Sequence, residues 1–530
     1  MTIGIDLGTT NCALAHDCNG VIEVVQIEQQ IDKDLVAKQR VLPSFLFCSP
    51  EGESIVGLYA RECASEVPDR VISSAKSWLC HDGIDRREPF LPLGECEQKW
   101  SPLQACSAYL AHLKKAYGDF AQKEVIVTVP ASFDPSARQL VEEAAALASF
   151  PQTVLIEEPL AAFYDWIHRH QENWRDHLRI GDLVLVVDIG GGTTDFSLIR
   201  IHDKDGNLDL ERIAVGEHLL LGGDNIDLAL AHFAKGKLGA LDAWQMRALV
   251  HSARAAKEQL LSGKEEVSIT IPGRGSSLIG GMLKTTLTLQ ECETFLVNGF
   301  FPLVPFDEPV KKGQRMGLTT LALPYVQDPR ITAHLASFLV EMPTAVLFNG
   351  GTMKSKLFQK RVAEQLTAWR GQPISILPDA DLDEAVCRGA AYYGRVRLGE
   401  GIRVRTPSAR SYYIGVEGSA PAVPGLPPMI RPICIVPFGM EEGSERQLEE
   451  IFTLRLGESA LFRFFSHPKS NEVTSIDKLT ELHPIETLLE SEKKSFASVK
   501  LSAKLTEVGT LQLWCSSESH RWKPEFNVRN

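Results

Sequence analysis

The chain has 530 residues, 44% of them apolar and 23% charged, and carries a net charge of −13 from 55 basic and 68 acidic residues. That length is too great for one hydrophobic core, so at least two domains are expected, and the balance argues against extensive disorder. The acidic excess is spread without a basic patch and no run of about 18 apolar residues occurs, which speaks against nucleic-acid or membrane partners. The opening MTIGIDLGTT lacks a basic, cleavable leader pattern, and the eleven cysteines are scattered without metal or disulfide spacing. Both features predict a cytoplasmic, reduced protein.

The first element, IGIDLGTTNC (3–12), is a buried-strand pattern running straight into Asp6, Gly8, Thr9, Thr10 and Asn11. EVIVTVP (124–130) reads as a second strand, followed by a helix over 134–148 with Asp134 as its cap and Pro135 in its first turn. TVLIEEP (153–159) is a strand leading into a helix opened by Pro159, and LVLVVDIGGGTTDFSLIRI (183–201) gives two strands around a glycine turn. AVLFNGG (345–351) repeats the strand-to-glycine pattern before a helix, and Asp381 and Glu384 stand at capping-box spacing before the next. Strands alternating with helices through about 398 predict an α/β domain over 1–398.

Residues 399–410, rich in Gly, Pro, Ser and Arg, read as a linker. Residues 411–530 are short β-type runs and predict a smaller β-rich domain, with VKLSAKLTEVGTLQLWCS (499–516) as a hairpin placing Val499, Leu501, Ala503 and Leu505 on one face. Its only helical candidate, near 485–494, is bounded upstream by Pro484.

DIGGGTTD (188–195) repeats DLGTT (6–10): Asp at a strand end, a turn through glycine, a return through threonine. Glycines let backbone N–H groups approach phosphate oxygens, and threonine hydroxyls add donors, together making an anion nest. Two aspartates beside a triphosphate call for a cation, and Mg²⁺, which binds through few carboxylates plus phosphates, suits that place. No G-x-x-x-x-G-K-[ST] loop is present. The pattern points to ATP clamped between two similar lobes.

Taken in order, IGIDLGTTNC, VIVTVPASFDPSARQLVEEAAALA, VLIEEPLAAFYDW, LVVDIGGGTTDFSLI, LLLGGDNIDLAL, AVLFNGGTMKSKLFQKRVAEQL and DEAVCRGAAYYG resemble the signature segments of the DnaK-type, seventy-kilodalton heat-shock chaperones. The resemblance runs over about 3–398 and implies a two-lobed, actin-like ATPase domain followed by a β-sandwich-like peptide-binding domain. It implies that Gly8, Thr9, Thr10 and Asn11 meet the phosphates. Asp6, Asp188 and Asp195 would then surround magnesium and the attacking water. Thr193 matches the second-loop threonine, with Gly190, Gly191, Gly192 and Thr194 around it. Lys76 would position water and the γ-phosphate, and Glu158 matches the glutamate of the family's Asn-Glu-Pro-Thr segment, a further catalytic residue. Gly222, Gly223, Gly350 and Gly351 match nucleotide-contacting glycines, Lys257 an adenosine-side lysine, and Asp383 an aspartate before the last helix.

The resemblance also frays. Glu157 and Leu160 flank Glu158-Pro159 where the family pattern has asparagine and threonine, and Arg254 and Glu258 invert the usual charges near the adenine. The linker carries Arg403, Arg405 and Arg410 and no leucine run, and the sequence ends at FNVRN, so no helical lid is expected and peptide exchange should be fast. The expected activity is slow ATP hydrolysis to ADP coupled to binding of unfolded or extended polypeptide, with a J-domain co-chaperone and a nucleotide exchange factor as candidate partners. A nucleotide-gated scaffold for one dedicated partner, and a small-molecule kinase of the same superfamily, are the rival functions.

Overall fold

The computed structural model describes residues 1–527 except 82, 119, 121–122, 132, 171–172, 205–206, 217–218, 274–280, 312–322, 379, 409, 418–429, 457–458, 468–470, 474, 483–484, 489–494, 507–509, 518–519 and 523–524. By internal contacts the chain divides into two compact units, Met1–Leu208 with Ala214–Ile402, and Asp209–Ile213 with Arg403–Asn530. No helix among the described residues is long and apolar enough to cross a membrane, and the eleven cysteines are free thiols.

The first unit is organised around two sheets. In one, β1 (Thr2–Leu7), β2 (Asn11–Cys18), β3 (Glu124–Val129) and β4 (Thr153–Glu157) run in the order β4-β3-β1-β2. In the other, β5 (Leu183–Ile189), β6 (Thr194–Lys204), β7 (Ala345–Asn349) and β8 (Ser375–Ile376) run in the order β8-β7-β5-β6. The two orders correspond strand for strand. β1 pairs antiparallel with β2 and parallel with β3, and β5 pairs antiparallel with β6 and parallel with β7. Every residue of β5 is buried, as befits a strand covered on both faces.

The helices begin where their first residues allow. In α1 (Pro135–Leu147) the Asp134 carboxylate accepts from the Ala137 N–H at 2.7 Å, with Pro135 in the first turn. α2 (Glu158–Arg169) follows β4 directly and has Pro159 at its start. The expected box at Asp381 and Glu384 forms only by half. Asp381 accepts from the Glu384 N–H at 3.2 Å, but the Glu384 carboxylate turns to Arg40, 2.6 Å away, and the last helix, α3 (Ala385–Arg397), begins beyond both.

α3 closes the unit by packing back on its first strand. A Cβ at Gly4 would stand 2.1 Å from the Cys387 carbonyl oxygen, and one at Gly389 would stand 1.7 Å from that of Ala161 in α2. Only glycine permits either approach. Thr2 Oγ1 donates to the Ala391 carbonyl at 2.7 Å, joining residues 389 apart in sequence.

The second unit is made of strands. Ile430–Val436, Ser411–Glu417, Phe464–His467 and Thr480–Glu481 form one sheet in that order; Glu445–Leu456, Ser495–Leu505, Thr510–Ser516 and Arg521–Trp522 form another, with Glu525–Asn527 also on Thr510–Ser516. Both contribute to one core: Tyr412, Ile414 and Phe464 from the first and Val499, Leu501, Ala503, Leu505, Leu511 and Leu513 from the second are all buried. The 499–516 hairpin pairs Leu505 with Leu511, as its alternation predicts, while the turn itself lies outside the described residues. Within this unit Val404–Arg405 pairs with Leu210–Glu211, and Arg405 makes a forked bond to Asp209 at 2.7 Å from both nitrogens.

The helical candidate at 485–494 is corrected over its described part. Ile485–Leu488 is a strand paired with Ser459–Phe462, and 489–494 lie outside the described residues. β-branched Ile485 and Thr487 favour an extended backbone, and Pro484 denies the segment a helical lead-in.

Candidate functional site: two facing glycine-threonine turns

The turns joining β1 to β2 and β5 to β6 come together. A Cβ at Gly191 would lie 1.9 Å from Thr10 Oγ1, and one at Gly192 would lie 2.3 Å from Ser77 Oγ and 3.1 Å from Thr9 Oγ1. The threonines of the first turn thus face the glycines of the second with no space for a side chain between them. Within the first turn, a Cβ at Gly8 would stand 2.1 Å from the Asn11 carbonyl oxygen.

The second turn is braced from behind. The Gly223 N–H donates to Gly190 O at 3.0 Å and the Asp224 N–H to Gly191 O at 2.7 Å, while Thr352 Oγ1 donates to Gly190 O at 2.9 Å. Both carbonyls are therefore turned toward the Gly222–Asp224 segment. A Cβ at Gly222 would meet these carbonyls at 2.7 and 2.8 Å. Gly350, with φ +86°, would put a Cβ 2.4 Å from Ile189 O and 2.6 Å from Asp188 Oδ1, whereas Gly351 faces open space. Thr193 is buried, and the Thr194 hydroxyl is spent on the Leu221 carbonyl at 2.6 Å.

Acidic groups collect beside the turns. Asp188 and Asp195 are directly opposite across β5 and β6, and both are buried. Asp6 accepts from Thr128 Oγ1 at 3.1 Å, and Asp188 accepts from Asn349 Nδ2 at 2.9 Å. Burial and the Glu158 carboxylate push Asp6 up to about 7. Burial, Glu158 and Asp195 push Asp188 well above the usual carboxylate range. Lys76, 2% exposed, is ion-paired to Glu158. Burial pulls its ammonium down, but Glu158 and Asp6 outweigh that and hold it above the ordinary lysine value. One lysine among mutually repelling carboxylates leaves an unbalanced negative site.

The donor chemistry fits a phosphate chain with a divalent cation. Among the described residues no three His, Cys, Asp or Glu side chains enclose an ion. A magnesium ion here would be held through water and phosphate oxygens more than by a protein cage.

The sequence model described as Hsp70 protein matches residues 2–301, more than half of the chain. The chain belongs to the Hsp70 family. It is 33% identical over 283 residues to a chaperone protein HscA homolog of Methylibium petroleiphilum (strain ATCC BAA-1232 / LMG 22953 / PM1), a match covering 50% of this chain and 42% of the relative. It is 30% identical over 316 residues to the chaperone protein HscA of Pectobacterium carotovorum subsp. carotovorum (strain PC1), covering 54% of this chain and 48% of the relative. The matches thus span less than half the length of these relatives.

Two residues carried over from the Hsp70 resemblance are held by ion pairs. Lys257 Nζ lies 2.6 Å from Asp227, which also accepts from Arg254 Nε at 2.8 Å; Arg254 reaches Asp224 as well. Burial would raise Asp227, but Lys257 and Arg254 hold it below the usual range. Asp383 is an exposed residue tied to Lys354 at 2.5 Å. Cys12, two residues past the threonines, is buried against Ser44 at 3.2 Å, and burial pushes its thiol up to about 12, so it is no nucleophile at neutral pH.

Sequence reasoning passed over Thr128, Asn349, Ser74, Asp224 and Arg138. Asn349 had a signal: it ends the strand before Gly350-Gly351 and is in register with Asp188. Ser74 had none. It adopts φ +54°, an uncommon conformation for serine, and its hydroxyl donates to Asp224 Oδ2 at 2.6 Å. Arg138 accounts for the extra charge at Glu157. Its guanidinium stands 3.2 Å from that buried carboxylate while also donating to Ala131 O at 2.8 Å and Phe133 O at 2.6 Å.

Proposed function

We propose that this Hsp70-family chain binds Mg-ATP with its triphosphate held by donors of the two turns, hydrolyses it slowly, and couples nucleotide state to the binding of unfolded or extended polypeptide by its second unit. The observation that carries the nucleotide site is the meeting of Thr9 and Thr10 with Gly191 and Gly192, where a Cβ would overlap the threonine side chains. Hydroxyls and approachable backbone N–H groups gathered at such a meeting are the donors a phosphate chain needs.

In this scheme Lys76, held charged by its carboxylate neighbours, supplies fixed positive charge and is not a base. Asp6, Asp188 and Asp195 carry the water and the magnesium, which neutralises charge on the phosphates when bound. Burial raises both Asp6 and Asp188, which favours them as acceptors of a proton from the water. Phosphoryl transfer of this kind depends on positioning and charge more than on covalent chemistry. The name chaperone borne by both relatives, and the buried two-sheet core of the second unit, support the polypeptide half of the proposal. Extended segments bind such folds through backbone bonds and side-chain pockets.

The test is paired. Phosphate release from Mg-ATP is measured for the full chain and for Asp188→Asn, and the affinity of a fluorescent, extended apolar peptide is measured with and without Mg-ATP. Hydrolysis lost in the variant, with a several-fold nucleotide effect on peptide affinity, is expected. Unchanged hydrolysis in Asp188→Asn overturns the site, and peptide affinity indifferent to nucleotide overturns the coupling.

A further inference from the structure

One hydroxyl beside the phosphate turns is left without work. Ser77 is 1% exposed, and among the described residues its Oγ has no hydrogen-bond partner. Such a group is costly, because burying a hydroxyl unpaired forfeits its bonds to water, so it marks either a waste or a missing ligand. Its direction decides between them. Ser77 Oγ is the nearest atom, at 2.3 Å, to the place a Cβ on Gly192 would occupy, and Thr9 Oγ1 borders the same place at 3.1 Å. Two hydroxyls from separate segments thus converge on one backbone position of the second turn.

The neighbours point the same way. Ser77 follows Lys76 in the short helix Ala75–Trp78, all four residues of which are buried. Lys76 is buried and ion-paired to Glu158, and Asp188 is only 4% exposed. A linear triphosphate entering from solvent puts its last phosphate deepest.

Resting on the proposed ATP site, we infer that Ser77 is a phosphate-binding residue whose hydroxyl donates to the terminal phosphate of ATP, alongside Thr9 and next to Lys76. The residue therefore discriminates the triphosphate from the diphosphate. That bond would use a hydroxyl that no other described residue engages.

The experiment uses the full chain and Ser77→Ala, with melting temperature and nucleotide affinity as readouts for Mg-ATP and Mg-ADP separately. Without nucleotide, the variant is expected to melt at the same temperature or higher, since it loses only an unpaired hydroxyl. Affinity for Mg-ATP should fall about tenfold or more, the range for a hydrogen bond to a charged group, with Mg-ADP affinity unchanged. Ser77→Thr, which keeps the hydroxyl, should retain more of the ATP preference than Ser77→Ala. Unchanged ATP affinity in Ser77→Ala, or equal loss for ATP and ADP, overturns the inference. If the unaltered chain shows no melting shift with either nucleotide, the ATP site itself fails, an outcome distinct from a failure of Ser77 alone.

Discussion

Asp6 and Asp188 end equivalent strands of two sheets with the same strand order, yet they sit in different electrical surroundings. Each accepts one hydrogen bond from the end of the neighbouring parallel strand, from Thr128 in the first sheet and from Asn349 in the second. Asp6 has Lys76 acting to lower it, whereas the groups acting on Asp188 are the carboxylates of Glu158, Asp195 and Asp6 together with the Asn349 amide. The backbone device was kept in both halves and the charge was not. Repetition of a strand-turn-strand unit fixes where a carboxylate stands, and its partners from distant segments fix what it can do.

That contrast can be broken in order of severity. Asp188→Asn should lower hydrolysis by about a thousandfold, roughly 4 kcal/mol of barrier, while Asp6→Asn costs less; single-turnover phosphate release reads both. Lys76→Met removes the one cation of the buried pair, leaving Glu158 uncompensated, and should destabilise the nucleotide-free chain by about 3 kcal/mol. Adding Glu158→Gln should recover much of that loss, and urea unfolding of the single and double variants measures it. Thr128→Val and Asn349→Leu each take one donor from an aspartate and should slow hydrolysis about tenfold, Asn349→Leu more, because the largest charges acting on Asp188 are carboxylates. An equal effect from the two would argue that the halves are electrically alike.

The smallest effect is a pH dependence at His251. Burial and Arg254 push His251 down to about 4, so the folded state keeps it neutral while the unfolded chain protonates it near 6.5. Between those values the unfolded state binds more protons, and stability falls as pH falls. The loss should reach about 1 kcal/mol by pH 6 and be absent at pH 8, and His251→Gln should flatten that slope in thermal melts.

The parts of the site readable from sequence were those written in consecutive residues. Asp6-Leu7-Gly8-Thr9-Thr10 and Asp188 to Asp195 declare a strand end, a tight turn and a set of donors by local chemistry alone. The α1 cap at Asp134 and the alternation of Val499 to Leu505 are equally local. What stayed hidden depends on partners distant in sequence. Glu157 looks like an intrusive charge until Arg138 is seen against it, and nothing local in the sequence announces that Arg254 and Lys257 share Asp227. Glu384 has the spacing of a capping box, but the competing guanidinium of Arg40 belongs to a segment more than three hundred residues earlier. Ile485–Leu488 shows the opposite limit, where a short run takes its strand form from pairing with Ser459–Phe462.

The seam where Gly4 lies against Cys387, and Thr2 bonds to Ala391, has a meaning for how the protein is made. Thr2, in the strand carrying Asp6, leaves the ribosome 389 residues ahead of Ala391 in the helix that covers it. At synthesis rates of about 5–20 residues per second, that strand waits roughly 20 to 80 seconds for its cover. For that interval a nascent chain of this kind exposes an apolar strand to whatever else is in the cell.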